Sequence, residues 1–306
     1  MIAKSWLKFR ISALFMLSFS TLTLAQKLDF PYKNDPSGRI DIAPESVFKN
    51  FREAGMNPVN RNLTAGQKEK VSKAFALLPP LHQRILKQHL QSISFMDNMP
   101  NTALTSPVDS KGGAKLFNIT FRAGLLDETI SEWASWKENT CFEKNDTTYK
   151  VRVEGGNMDA VIYVLMHEAT HIVDAVMEIT PHPADKNSVA QSTEFTKGVW
   201  QKMNIPNEKY IDPLLEQTRF RSGKTLPTSL APEVYRKLAQ TPYPSLYATA
   251  AWFEDIAELA TIYHLTTRLR QPFQVIITKN RVELVRFQPM NSELVRKRLN
   301  QLAIFY

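Results

Sequence analysis

The chain has 306 residues, of which 43% are hydrophobic and 22% charged, and a formal net charge of +8 at pH 7. Its single cysteine, Cys141, excludes an internal disulfide and a cysteine-rich structural metal site. No tight cluster of basic residues interleaved with aromatic residues is present, so the sequence predicts no nucleic-acid binding.

The first 25 residues have the composition of a cleavable secretory signal peptide. Lys4, Lys8 and Arg10 precede an apolar run from Ile11 to Leu24, and Thr23-Leu24-Ala25 is typical of a cleavage site. The alternative is an uncleaved membrane anchor, but the run is short and interrupted by serines and threonines. We expect a secreted or periplasmic protein without stable membrane insertion, because no later segment is predicted to cross a bilayer. Removing three positive charges from a total of +8 leaves a net charge of +5.

The mature chain is predicted to be a short extension followed by one large domain. Residues 26–62 contain frequent Pro, Gly, Asn and Asp, which predicts an irregular N-terminal extension with one short helix near Ser46–Ala54. Residues 63–306 form the predicted domain, and residues 63–110 are its helical lead-in. In this lead-in, Thr64 caps a helix that runs to Leu78, and a second helix runs from Pro80 to Gln91.

Alternating apolar and polar residues predict short strands before a long apolar helix. The predicted strands are Ile93–Phe95, Lys115–Arg122 and Thr148–Val153. A turn-rich segment is predicted to run from the first strand through Gly113, and a short helix is predicted at Asp127–Trp136. The apolar run Ala160–Met177 predicts a buried helix that starts after Gly155-Gly156.

The C-terminal half is predicted to be mostly helical. Its predicted elements are helices near Ser192–Met203, Asp212–Phe220 and Pro232–Ala239, a long apolar helix at Tyr247–Leu269, a hairpin of Val275–Thr278 and Arg281–Phe287, and a closing helix at Ser292–Leu302. Together these elements predict an α+β fold, mainly helical, with a small mixed sheet packed on the helix at residues 160–177.

One motif in that helix carries a specific chemistry. His167-Glu168-Ala169-Thr170-His171 matches the pattern H-E-x-x-H. Residues i and i+4 share a helix face, so both imidazoles can reach one cation, and Glu168 can take a proton from water without being a ligand. The alternative is a pair of core histidines, but burying these polar groups without a partner costs several kcal/mol. A bound metal would supply that partner.

A catalytic zinc site needs a third protein ligand. The extension H-E-x-x-H-x-x-G-x-x-H fails, because Asp174 and Met177 occupy the glycine and third-histidine positions. Glu254 and Glu258 lie four residues apart on the later apolar helix, so one can bind the metal while the other accepts a hydrogen bond from a ligating histidine. The alternative is an amphipathic helix with its acids in water.

Asp174 lies on the same helix face as the two histidines. It could orient a histidine or pair with a basic neighbour. As a third ligand it would require one helix to supply three ligands, which strains a tetrahedral geometry.

The two helices together resemble the gluzincin branch of the zincin metallopeptidases. The resemblance implies a zincin-like fold, a Zn²⁺ cofactor, Glu254 as third ligand and Glu258 as the residue that orients His167. This chain departs from the pattern in two ways: the second acid is Glu rather than Asp, and 83 residues separate His171 from Glu254. The choice between Glu254 and Glu258 therefore stays open.

The expected function is an exported zinc metallopeptidase that cleaves peptide or protein substrates, with Glu168 as general base. In zincins the substrate often pairs with an edge strand before the metal helix, which indicates Thr148–Val153 here. Tyr247, Tyr263 and His264 are candidates for stabilising the oxyanion, although each also suits a packing role. The oligomeric state is not indicated.

Two other classes of function compete with a peptidase. Glu168-x-x-His171 also fits a di-iron four-helix bundle, but no second copy of that motif is present. The remaining alternative is a non-catalytic, secreted zinc-binding protein with a zincin-like fold. The presence of Glu168 favours the enzyme.

Overall fold

The computed structural model describes residues 36–108, 115–183 and 191–306. The signal peptide predicted for residues 1–25 lies outside the described residues. About 47% of the structure is helical and 20% is strand, and the sheets are small. The predicted mixture of helices with small sheets is therefore confirmed.

The helices are α1 (Glu45–Glu53), α2 (Ala65–Ala76), α3 (Pro80–His89), α4 (Ile130–Asn139), α5 (Ala160–Met177), α6 (Arg219–Ser222), α7 (Ala231–Leu238), α8 (Trp252–Tyr263) and α9 (Glu293–Arg296). Two of them begin at a capping box, formed by Thr64 with Gln67 before α2 and by Thr129 with Glu132 before α4. In each box the threonine hydroxyl and the N3 side chain satisfy backbone N–H groups that the first turn leaves unpaired.

The strands are β1 (Val59–Asn60), β2 (Leu90–Asp97), β3 (Ala103–Val108), β4 (Leu116–Arg122), β5 (Tyr149–Glu154), β6 (Trp200–Lys202), β7 (Ile205–Pro206), β8 (Gln274–Lys279) and β9 (Val282–Phe287). They form a four-stranded sheet in the order β1-β2-β4-β3, a three-stranded sheet in the order β5-β8-β9, and the hairpin β6-β7. The predicted β8–β9 hairpin and the strand at β5 are confirmed.

The four-stranded sheet is mixed, since β2 and β4 are parallel while β1 and β3 pair antiparallel with their neighbours. The prediction of a turn-rich segment through Gly113 was wrong at Ala103–Val108, which form the edge strand β3. Strand β1 comes from the predicted irregular extension. Arg39, from the same extension, donates hydrogen bonds to the carbonyl oxygens of Leu86 and Leu90 at the end of α3.

The predicted helix near Ser192–Met203 was wrong, because residues 194–199 form turns and Trp200 begins β6. Gly198 has a φ of +73°, a conformation that ends a right-handed helix. The predicted helix at Tyr247–Leu269 starts later than expected and runs through α8 and a π-helix at His264–Arg268. Ala251 is extended, with φ −164° and ψ 162°, so α8 starts only at Trp252 and follows a 3₁₀ turn at Tyr247–Thr249.

Two further predicted helices are interrupted in the structure. The segment predicted at Asp212–Phe220 contains a 3₁₀ turn at Leu215–Gln217 followed by the short α6. The closing segment consists of α9 and a 3₁₀ helix at Leu299–Phe305. Both segments contain helical turns within the predicted range, but neither forms one continuous α-helix.

Helix α5 lies in the centre of the main hydrophobic core, packed against α2, α3 and α8. With 18 residues and a mean hydropathy of 1.3, it is long and apolar enough to cross a membrane, so the expectation that no later segment meets this test was wrong. However, 78% of α5 is buried inside the protein, and a core helix passes the same test. Its burial means that any polar side chain on α5 needs a partner within the fold.

Candidate metal centre

The centre of the site is a group of three side chains from α5 and α8. His167 Nε2 lies 3.0 Å from Glu254 Oε2 and 3.1 Å from His171 Nε2. His171 Nε2 lies 3.5 Å from the same carboxylate oxygen. The potential ligand atoms all lie within 4.8 Å of one another, so His167, His171 and Glu254 could hold a metal ion.

The electrostatics of this group favour a positive charge between its members. Burial acts to lower the pKa of His167, but the hydrogen bond with Glu254 and the negative charges of Glu254 and Glu258 outweigh burial and raise the pKa to about 9. Burial acts to raise the pKa of Glu254, but His171 and His167 lower it overall, below its usual range. Two imidazole nitrogens that face each other at 3.1 Å need a proton or a cation between their lone pairs. A metal ion can take the place of that proton.

Glu258 lies on the other side of the His167 ring. Its Oε1 is 3.0 Å from His167 Nδ1, although the two atoms are not aligned as a hydrogen bond. Ser245 and Tyr163 donate hydrogen bonds to its Oε2, at 2.6 Å and 3.2 Å, and Lys137 Nζ lies 3.2 Å from its Oε1. Burial acts to raise the pKa of Glu258, but Lys137, His167 and Ser245 lower it to about 2. The geometry thus puts Glu254 with the ligand atoms and Glu258 beside the remaining nitrogen of His167.

Glu168 lies on α5 beside these ligands but is not part of the group. It is 8% exposed, and its Oε2 accepts a 2.7 Å hydrogen bond from the hydroxyl of Thr105 on β3. The same hydroxyl lies 3.3 Å from the backbone oxygen of Glu168. Strand β3 is at the edge of its sheet, so the Glu168 carboxylate is hydrogen-bonded to an edge strand.

Of the three candidate oxyanion stabilisers, Tyr247 is the one with a described contact to this group. Its hydroxyl donates a 2.8 Å hydrogen bond to Glu254 Oε1, and its ring stacks on His167 with centroids 5.6 Å apart. His264 instead donates from Nε2 to the backbone oxygen of Leu77, at 2.8 Å, and Tyr263 packs on Tyr306. Tyr263 and His264 therefore have no described contact with His167, His171 or Glu254.

Asp174 contacts residues that follow α5 in the chain. Its Oδ1 accepts from the backbone N–H of Thr180 and its Oδ2 from the Thr180 hydroxyl, both at 2.6 Å. His182 Nε2 lies 3.3 Å from Oδ2. In the described part of the chain, Asp174 contacts neither His167 nor His171, and it fixes the turn that follows α5.

The site also includes residues that the sequence did not indicate. The Glu258 carboxylate is contacted by Lys137, Tyr163 and Ser245, and the Glu168 carboxylate by Thr105. Of these four residues, only Tyr163 lies on α5, the helix that carries the motif. The other three come from α4, from the segment before α8 and from β3. Their spacing carries no motif, and only the tertiary fold brings them together.

No protein-family model, curated protein or solved structure matches this chain.

Proposed function

We propose that this protein is an exported, zinc-dependent peptidase with a zincin-like fold, similar to the gluzincins. The observation that carries the proposal is the convergence of His167, His171 and Glu254, with Glu168 beside them on the same helix. Two imidazoles and one carboxylate are a ligand set of catalytic zinc sites, which leave a fourth position for water or substrate.

The spacing of the donor atoms supports zinc. The three measured distances between donor atoms are 3.0, 3.1 and 3.5 Å. Bonds of about 2.0–2.1 Å to a tetrahedral zinc place ligand atoms roughly 3.3–3.4 Å apart. Small side-chain adjustments would therefore be enough for these three residues to bind the ion.

Each residue of the site would have a separate role in peptide hydrolysis. When bound, zinc would supply Lewis acidity toward the scissile carbonyl and the attacking water. Glu168 would take the proton of that water and deliver it to the leaving amine. Because Thr105 holds Oε2 of Glu168, Oε1 remains for the proton. Glu258 would accept from Nδ1 of His167, and Tyr247, whose hydroxyl donates to Glu254 Oε1, would orient that ligand.

The geometry favours β3, rather than the strand at Thr148–Val153, as the site of substrate pairing. β5 is also an edge strand, but it packs mainly on α4 and β8. Directly before β3, the backbone oxygen of Thr102 accepts from the backbone N–H of Arg122 at 2.9 Å. Hydrogen-bonded and non-hydrogen-bonded pairs alternate along an antiparallel ladder, so the backbone groups of Ala103 and Thr105 face away from β4. An extended peptide could add to this edge beside Glu168.

The test compares the parent chain with the variants Glu168→Gln and Glu178→Gln. Glu168→Gln keeps the shape of the side chain but cannot take a proton, so it should retain zinc and lose hydrolysis of a peptide library. The matched control, Glu178→Gln at the exposed end of α5, should keep both. A Glu168→Gln variant that cleaves as well as the parent contradicts the mechanism. A parent chain that binds zinc but cleaves no peptide favours the non-catalytic zinc-binding alternative.

A further inference from the structure

Lys137, a partly buried cation on α4, lies next to two residues that contact the candidate metal ligands. Lys137 has no described contact with His167, His171 or Glu254. It does contact one neighbour of His167 and one neighbour of Glu254. Its Nζ lies 3.2 Å from Glu258 Oε1, and Glu258 lies beside His167. The same Nζ lies 4.1 Å from the ring centroid of Tyr247, whose hydroxyl donates to Glu254.

The Lys137–Glu258 pair is shielded from water. The Lys137 side chain is 16% exposed and the Glu258 side chain is 2% exposed. The other described partners of the Glu258 carboxylate, besides His167, are the neutral hydroxyls of Ser245 and Tyr163. A buried carboxylate needs a counter-charge as well as hydrogen bonds. A metal ligand must be a neutral imidazole, so with metal bound Lys137 is the cation that compensates Glu258 among the described residues.

The backbone fixes where Lys137 lies. Helices α4 and α5 begin side by side, because Ile130 N–H donates to Met158 O and Ala160 N–H donates to Glu128 O, each at 2.9 Å. Lys137 and His167 each lie seven residues beyond the first residue of their helices. Seven residues span about 10.5 Å of helix, and both side chains lie within 3.2 Å of Glu258 Oε1.

Lys137 is also linked to Glu254, through its contact with the ring of Tyr247. A cation over an aromatic face is attracted by the electrons of the ring, and the attraction increases when water is excluded. Lys137 therefore restrains the Tyr247 ring, which stacks on His167 and directs its hydroxyl at Oε1 of Glu254. This leaves Oε2, the oxygen nearest the histidine nitrogens, available for a metal ion.

We propose that Lys137 is a positioning residue of the metal centre, which acts on His167 through Glu258 and on Glu254 through Tyr247. The inference rests on the proposed function, because it assigns Lys137 a role in binding the metal. It goes beyond the sequence motifs, since α4 contributes no ligand and no proton donor to the expected reaction.

Zinc affinity of the full mature chain, measured by competition with a chromophoric chelator, tests this role without any peptide substrate. Lys137→Met keeps the apolar length of the side chain and removes the charge, and it should weaken zinc binding by about 10- to 100-fold. The matched control is Lys70→Met, which removes the 2.8 Å ion pair between Lys70 and Asp159 before α5. The control should bind zinc as the parent does. Lys137→Gln should show the same loss and replaces Lys137→Met if that variant fails to fold.

A double-mutant cycle with Glu258→Gln separates positioning from a general loss of stability. Glu258→Gln removes the route through the carboxylate and leaves the route through Tyr247, so Lys137→Met should weaken zinc binding less in the Glu258→Gln background than in the parent. Equal losses in both backgrounds, or parental affinity in the single variant, overturn the role of Lys137. A parent chain that binds no zinc overturns the metal centre itself, so the two failures are distinguishable.

Discussion

The hydroxyl of Thr105 donates a 2.7 Å hydrogen bond to Oε2 of Glu168. This contact joins the edge strand β3 to the carboxylate proposed as general base. The backbone groups of Thr105 face away from β4, toward where an added strand would pair. One residue would therefore set both the direction of the base and the register of the substrate.

Replacing Thr105 tests this coupling. Thr105→Val removes the donor at nearly constant volume, and hydrogen bonds to charged groups contribute about 1.5–3 kcal/mol. We expect kcat to fall about 10-fold or more, with little change in zinc affinity, because Glu168 is not a ligand. Thr105→Ser keeps the hydroxyl and should recover most of the rate. Steady-state kinetics on one peptide measure both effects, and parental kcat in Thr105→Val would contradict the coupling.

Removing the metal should destabilise the folded protein. A ligand that binds only the native state stabilises it by about 4 kcal/mol at 1,000 times its Kd. Chelation should therefore lower Tm, and added zinc should restore it. His171→Ala should abolish this zinc-dependent shift, while His89→Ala, which loses a contact to the backbone of Lys115, should retain it. Calorimetry with and without zinc measures the shift, and an unchanged shift in His171→Ala would exclude that ligand.

The metal-free protein should lose stability as pH rises above neutrality. The pKa of His167 is raised in the folded state to about 9 from an ordinary value of 6.5, so folding favours the protonated ring. Its contribution is fully present below pH 6.5 and is lost as pH rises through about 9, by an amount on the order of 3 kcal/mol.

Urea unfolding in the presence of a chelator, at several pH values, measures this loss. His167→Gln cannot titrate, so the difference in unfolding free energy between parent and variant should shrink from pH 6.5 to pH 9.5. A difference that is independent of pH would show that His167 does not carry the proton.

The buried ion pair between Arg298 and Asp255 of α8 should contribute strongly to stability. Arg298 donates to both oxygens of Asp255, at 3.0 and 2.7 Å, and Trp200 donates to Oδ2 at 2.8 Å. Arg298→Met leaves a buried carboxylate without its cation, which should cost about 3–5 kcal/mol of unfolding free energy. Lys297→Met removes the exposed pair with Glu293 and should cost less than about 1 kcal/mol. Urea titration compares the two, and equal losses would refute the assignment.

Features that depend on short stretches of sequence were predicted well. Thr64 was predicted to cap a helix, and the structure has the capping box. The β8–β9 hairpin and helix α5 were also predicted, because alternation and a long apolar run are local signals. The prediction of a helix near Ser192–Met203 was wrong. Gly198 adopts a positive φ there, and whether a glycine does so depends on tertiary contacts that helix propensity does not include.

The sequence by itself determined the chemistry of α5, since the helical repeat puts His167 and His171 on one face whatever surrounds them. It left Glu254 and Glu258 as alternatives, because both share a face of a second helix that is distant in the chain. Only the packing of α8 and α4 against α5 decided that Glu254 meets the histidine nitrogens while Glu258 lies between His167 and Lys137. Helical periodicity is a property of a few turns of chain, whereas contacts between distant segments depend on how the whole core packs.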